Sequence, residues 1–117
     1  MLILKIKQAA TALKDGRLDE AYELARTEEF RTHRDGQELV GQLVRNLVAR
    51  GQNHLSAERL SQALADCEKA ERLGGNLPET AALRTAVTDA IANRQQAERQ
   101  RAGLVTAARQ HIRDGWL

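Results

Sequence analysis

Three histidines, His33, His54 and His111, and one cysteine, Cys67, are the side chains of this 117-residue chain with the chemistry to hold a zinc ion. Zinc is gripped by ligands brought together at short spacings such as CxxC or HxxxH. No two of these four residues lie within one helical turn, so no metal site is expected. Cys67 sits in a run of small residues and reads as a buried spacer, not as a reactive thiolate. The neighbouring carboxylates Asp19-Glu20 and Glu28-Glu29 point to different sides of a helix, so they read as solvated charges and not as an acid–base pair. Gly74-Gly75 closes an apolar helical run and reads as a C-cap, not as a phosphate loop. Nucleophile, acid and base do not converge anywhere, so the chain is expected to be no enzyme and to carry no cofactor.

The remaining chemical feature is a basic stretch. Arg94, Arg99, Arg101, Arg109 and Arg113 stand against Glu98 alone between residues 92 and 113. Such a helix can grip phosphates or an anionic membrane surface. It lacks aromatics to stack on bases, and few apolar residues face Arg94 to Arg101, so an ordinary solvated helix is the reading and nucleic acid is not the expected partner. The whole chain carries 18 basic and 16 acidic residues, too balanced to imply a polyanion partner by itself.

These side chains must be positioned by helices. The chain is 42% apolar, spent mostly on Leu and Ala, with one proline and only Tyr22, Phe30 and Trp116 as aromatics. That diet suits helix-on-helix packing and suits a sheet poorly. The fold class is all-α, antiparallel helical hairpins stacked as a bundle with a long C-terminal helix, in a single domain spanning 1–117. A lone cysteine allows no intrachain disulfide, and the apolar run in MLILKIK is too short for a signal-peptide core or a membrane span. A cytoplasmic location follows as the expectation.

Leu2, Ile6, Ala9, Ala10 and Leu13 recur at helical spacing and predict a helix over 2–15, stopped at Asp15-Gly16. A second helix is expected from Leu18 to Phe30, frayed where Glu28-Glu29 oppose its dipole, followed by a polar break over 31–36. Asp35 with Glu38 predicts the capping box of a third helix, running to about Leu55. Ser56 is the expected N-cap of a fourth, with Leu60, Ala63, Leu64, Cys67, Ala70 and Leu73 inward. Pro78 suits the first position of a fifth helix over 79–113 (78–114 at its widest), unless the chain breaks near Gly103. The closing residues Ile112 to Leu117 echo the first turn, Leu13 to Leu18, and suggest the N-terminal part of a longer protein or a helix supplied by another molecule.

A ladder is used twice. Gly51, Leu60, Ala63, Cys67 and Ala70 repeat the offsets of Ala9, Leu18, Ala21, Ala25 and Glu28, displaced by 42 residues. Small residues let two helices approach while one large residue plugs the seam, and a spacing used twice is the mark of a helical repeat. In this ladder, in ALADCEKAERLGG (63–75) and in LKDGRLDEAYELA (13–25), the chain resembles the tetratricopeptide repeat (TPR), over hairpins 2–30 and 37–75. The large aromatic usual in that family's first helix falls here on Lys5 and Leu47, and its inter-repeat proline is replaced by Gly75.

The resemblance implies a groove for a protein or peptide partner, lined by the first helix of each hairpin. Matched by position, it would be formed by Ile3, Ile6, Ala10, Leu13 and Lys14, with Arg45, Val48, Gln52, Leu55 and Ser56. The Lys/Asn clamp that some members use on a terminal carboxylate is unmatched, since Ile6 and Ala10 hold its first-helix positions. Ile3, Leu4 and Ile6 occupy more sides of the first helix than one neighbour can cover, which suggests a surface for a partner or for self-association. The expected function is non-enzymatic protein–protein interaction, as a scaffold. The alternative is a structural element that forms a homo-oligomer through the long C-terminal helix.

Overall fold

Leu and Ala run through the chain with few β-branched residues between them, and the described backbone accordingly folds as helices joined by short turns. The computed structural model describes residues 2–74 and 77–115, with side chains as far as residue 103. Among the described residues there are six helices and no strand: α1 (Leu2–Lys14), α2 (Leu18–Ala25), α3 (Glu28–Thr32), α4 (Arg34–Ser56), α5 (Leu60–Gly74) and α6 (Pro78–Gly115). The chain divides into two compact units, residues 1–87 and residues 88–117.

Within the first unit, α1 pairs with α2 and α4 with α5. Contacts of the second pair run in opposite senses: Val44 lies beside Gly74, Arg50 holds Asp66, and Gly51 faces Ala63. The two helices are therefore antiparallel. Both hairpin turns are closed by the same pair of backbone bonds. Gly16 N–H donates to the Leu13 carbonyl and Arg17 N–H to that of Ala12. Forty-two residues on, Glu58 N–H donates to Leu55 and Arg59 N–H to His54. This is the Schellman arrangement, which needs a left-handed residue just past the helix. Gly16 supplies it at φ 81°, and Glu58 adopts φ 63° without glycine's freedom.

The ladder is buried as its spacing requires. Ala9, Ala21, Ala25, Gly51, Ala63, Cys67 and Ala70 are all enclosed, whereas Glu28 is exposed. Gly51 shows why the position is small: a Cβ there would stand 2.8 Å from Leu83 Cδ2 and 3.3 Å from the Asp66 Cβ. Leu43, Val44, Leu47, Leu83 and Val87 are each essentially fully buried in the core.

Three boundaries differ from the sequence expectation. The second helix ends at Ala25, because Thr27 turns extended (ψ 147°) and a new helix starts at Glu28. Glu28 and Glu29 thus open α3, where negative charge meets the positive end of the dipole, and no longer oppose it at a C-terminus. The redirection carries Phe30 into full burial, worth about 2–3 kcal/mol for a side chain of that size. The polar break shrinks to His33. Its ring Nδ1 accepts the Asp35 N–H at 3.2 Å and caps α4, displacing the expected Asp35/Glu38 box. Ser56 ends α4 and does not cap α5, since the left-handed turn at Glu58 comes first.

The start of α6 joins the first unit. Leu83 reaches Gly51, and Arg84 grips Glu71 through two hydrogen bonds of 3.0 and 2.5 Å. The helix begins at Pro78 as expected and passes through Gly103 unbroken. In the second unit, residues 92–103 are exposed on every side. Gly75 of the expected C-cap, and Trp116 and Leu117 of the repeated end turn, lie outside the described residues.

Candidate functional site

The helices place the ten expected groove positions unequally. Ile3 is 65% exposed, Ala10 and Lys14 are exposed, and Ile6 and Leu13 are half-buried. On α4, Arg45, Gln52 and Ser56 are exposed and Leu55 is half-buried. Val48, by contrast, is 5% exposed and belongs to the core, so it offers nothing to a partner. The cause is the position of α4, which packs against α1, α2, α3 and α5 and must bury a broad arc from Gly36 to Gly51.

Since α1 also packs on α4, the exposed sides of these two helices belong to one packed body. On α1, Ile3, Ile6, Ala10 and Leu13 recur at i, i+3, i+7 and i+10 and form a single stripe. Lys7 and Lys14, seven residues apart, run alongside it. On α4 the Arg45 guanidinium lies back over Gly41, 3.8 Å from where a Cβ would project. Leu4, 56% exposed, stands on a different side of α1 from the stripe.

A separate open depression of about 510 Å³ lies between α1 and α2. Lys7, Gln8 and Thr11 line one wall, and Arg17, Glu20, Glu23 and Leu24 the other. None of the expected groove residues borders it. Its carboxylates are engaged, Glu20 by Arg17 at 2.6 Å and Glu23 by Arg26 at 3.2 Å.

The strongest polar constellation was not foreseen. Asp66, enclosed in α5, accepts two hydrogen bonds from Arg50 of α4, at 2.6 and 3.0 Å. Arg50 also reaches Asp19 of α2 at 2.8 Å, and Lys69 holds the same Asp19 oxygen at 2.6 Å. His54 Nε2 stands 3.7 Å from Asp66, while its Nδ1 accepts from Arg59 at 2.8 Å. These bonds draw the Asp19 carboxyl from its ordinary value of 3.8 down to about 2, with the Arg50 bond first and the Lys69 bond second. The Asp66 bond in turn holds the Arg50 guanidinium above its usual range. The signal was available in the sequence: Asp66 falls between Ala63 and Ala70 on the inward side of its helix, where a carboxylate needs a cation.

Among the described residues the metal candidates do not meet. His33 is a helix cap, His54 belongs to the Arg50 cluster, and no group of three metal-ligating side chains occurs among the described residues. Cys67 is buried, and that burial pushes its thiol above the ordinary range, away from thiolate chemistry. The side chains of His111, Arg109 and Arg113 lie outside the described residues. No helix among the described residues is long and apolar enough to cross a membrane. Comparison of the chain with protein-family profiles, with curated proteins and with solved structures finds no match in any of the three.

Proposed function

We propose that this chain is a non-enzymatic interaction domain, a TPR-like stack of two helical hairpins that holds a helix or extended segment of a protein partner. The segment lies along α1 and the exposed side of α4, where Ile3, Ile6, Ala10, Leu13 and Leu55 supply apolar contact. Lys14, Arg45 and Gln52 fix its register. The observation that carries this reading is Ile3, left 65% exposed at the head of an apolar stripe, the most exposed of the three large hydrophobics (with Leu4 and Leu77) that stand open among the described residues. Covering such side chains favours association by about 1 kcal/mol each. The shared turn geometry of the two hairpins supports the repeat architecture, and the lone buried Cys67 supports a reducing, cytoplasmic setting.

Assembly through α6 is less favoured. Residues 92–103 carry alanine as their only apolar side chain, which gives no seam for a second helix.

The test uses a synthetic amphipathic peptide with a leucine stripe and glutamine elsewhere, bound to the chain and followed by fluorescence anisotropy. Saturable binding, lost in an Ile3→Ser/Ile6→Ser variant that keeps its helical circular dichroism, is the expected result. Binding unchanged by that double substitution, or a dimer that persists in it by light scattering, would overturn the reading.

A further inference from the structure

The stretches of α1 and α4 that carry the proposed contacts, Leu2 to Lys14 and Leu39 to Ser56, hold charge of one sign. From Leu2 to Lys14, α1 has no carboxylate but carries Lys5, Lys7 and Lys14, all exposed. From Leu39 to Ser56, α4 has no carboxylate either, and Arg45 is its exposed cation. None of these four pairs with a carboxylate among the described residues, whereas Arg17, Arg26, Arg50, Lys69 and Arg84 all do. Of the acids on neighbouring elements, Glu28 and Glu29 at the head of α3 are exposed, while those of α2 beside α1 are engaged. Glu20 and Glu23, across the depression from Lys7, are held by Arg17 and Arg26. Asp35 and Glu38 lie in the first turns of α4, with Glu38 two turns before Arg45.

We propose that the segment held on the α1–α4 face is acidic: an amphipathic helix whose aliphatic side chains meet Ile3, Ile6 and Leu13 and whose carboxylates reach Lys7, Lys14 and Arg45. The proposal rests on the docking reading above and names the chemistry of its occupant. Charge complementarity selects this occupant over a second copy of the chain, because α1 against α1 would set lysine against lysine. Apolar anchors flanked by charges are also what a helix in a groove presents at its i, i+3 and i+7 positions.

The experiment compares three synthetic helix-forming peptides that share one leucine stripe and differ only in their polar residues, which are Glu, Gln or Lys. At low salt the Glu peptide is expected to bind at least about tenfold more tightly than the Gln peptide, and raising the salt to several times physiological should close most of that gap. The Lys peptide is expected not to bind. Lys7→Glu/Lys14→Glu/Arg45→Glu replaces exposed residues, and its expected effect is to reverse the preference towards the Lys peptide. Equal affinity for Glu and Gln peptides would overturn the acidic assignment while leaving the docking reading in place. Failure of all three peptides would overturn both. Two further outcomes overturn the proposal: capture of the chain by phosphatidylserine vesicles without binding of the Glu peptide, and concentration-dependent dimerisation that the charge reversal abolishes.

Discussion

Glu58 holds in the second hairpin the left-handed backbone position that Gly16 holds in the first, 42 residues earlier and with the same two closing hydrogen bonds. A side chain with a Cβ pays for that conformation by about 1 kcal/mol, a cost glycine avoids. Glu58→Gly should therefore stabilise the chain by about 0.5–1 kcal/mol, raising its thermal midpoint by several degrees. Gly16→Ala should lower it by a similar amount. Paired thermal melts check both signs, and a destabilised Glu58→Gly would show that the Glu58 side chain does something the turn geometry does not require.

Gly36 answers to contact and not to conformation. A Cβ at this position would collide with the Phe30 carbonyl oxygen, so α3 and α4 meet backbone against backbone. Neither partner is a flexible side chain that can swing away. Gly36→Ala should cost about 2–3 kcal/mol, as overpacked cores do, measured by urea unfolding.

Asp66 and Arg50 form the ion pair that ties α4 to α5, with Asp66 enclosed and Arg50 about a third exposed. Removing one partner leaves the other without compensation. Asp66→Ala should cost about 2–3 kcal/mol, whereas Asp66→Leu combined with Arg50→Met should recover most of that loss. A double-mutant cycle by chemical denaturation reads the difference.

Acid stability should report on Asp19. Its carboxyl titrates near 3.8 when free and near 2 beside Arg50 and Lys69. A lowered folded value means stabilisation that is complete above the free value and is lost as pH falls from about 4 towards about 2. Asp19 is itself well exposed, so the effect is modest. Asp19→Asn should flatten that limb of a pH-dependent melt and leave the limb above pH 5 parallel to the parent.

Much of the fold is legible in the residues, for identifiable reasons. Gly16 stops α1, Pro78 starts α6, and the apolar spacing of Ala63, Cys67, Ala70 and Leu73 fixes the buried side of α5. What escaped lies where a residue works against its type. Thr27 breaks the helix after Ala25 without a proline or glycine, driven by the burial of Phe30. Glu58 takes a glycine conformation, and the His33 ring caps a helix that Asp35 was better suited to cap. On the candidate surface, the exposure of Ile3, Lys14 and Arg45 follows from spacing within a hairpin. Val48 does not, because its burial depends on how many neighbours surround α4, and hairpin spacing carries no such count.

Mapping the docked glutamine peptide onto the chain by amide chemical-shift perturbation tests the central claim most directly. The account predicts the largest shifts at Ile3, Ile6, Ala10, Lys14, Arg45 and Gln52, with Glu20, Glu23 and residues 92–103 unmoved. Shifts centred on Glu20 and Glu23 in the α1–α2 depression, or confined to α6, would contradict it.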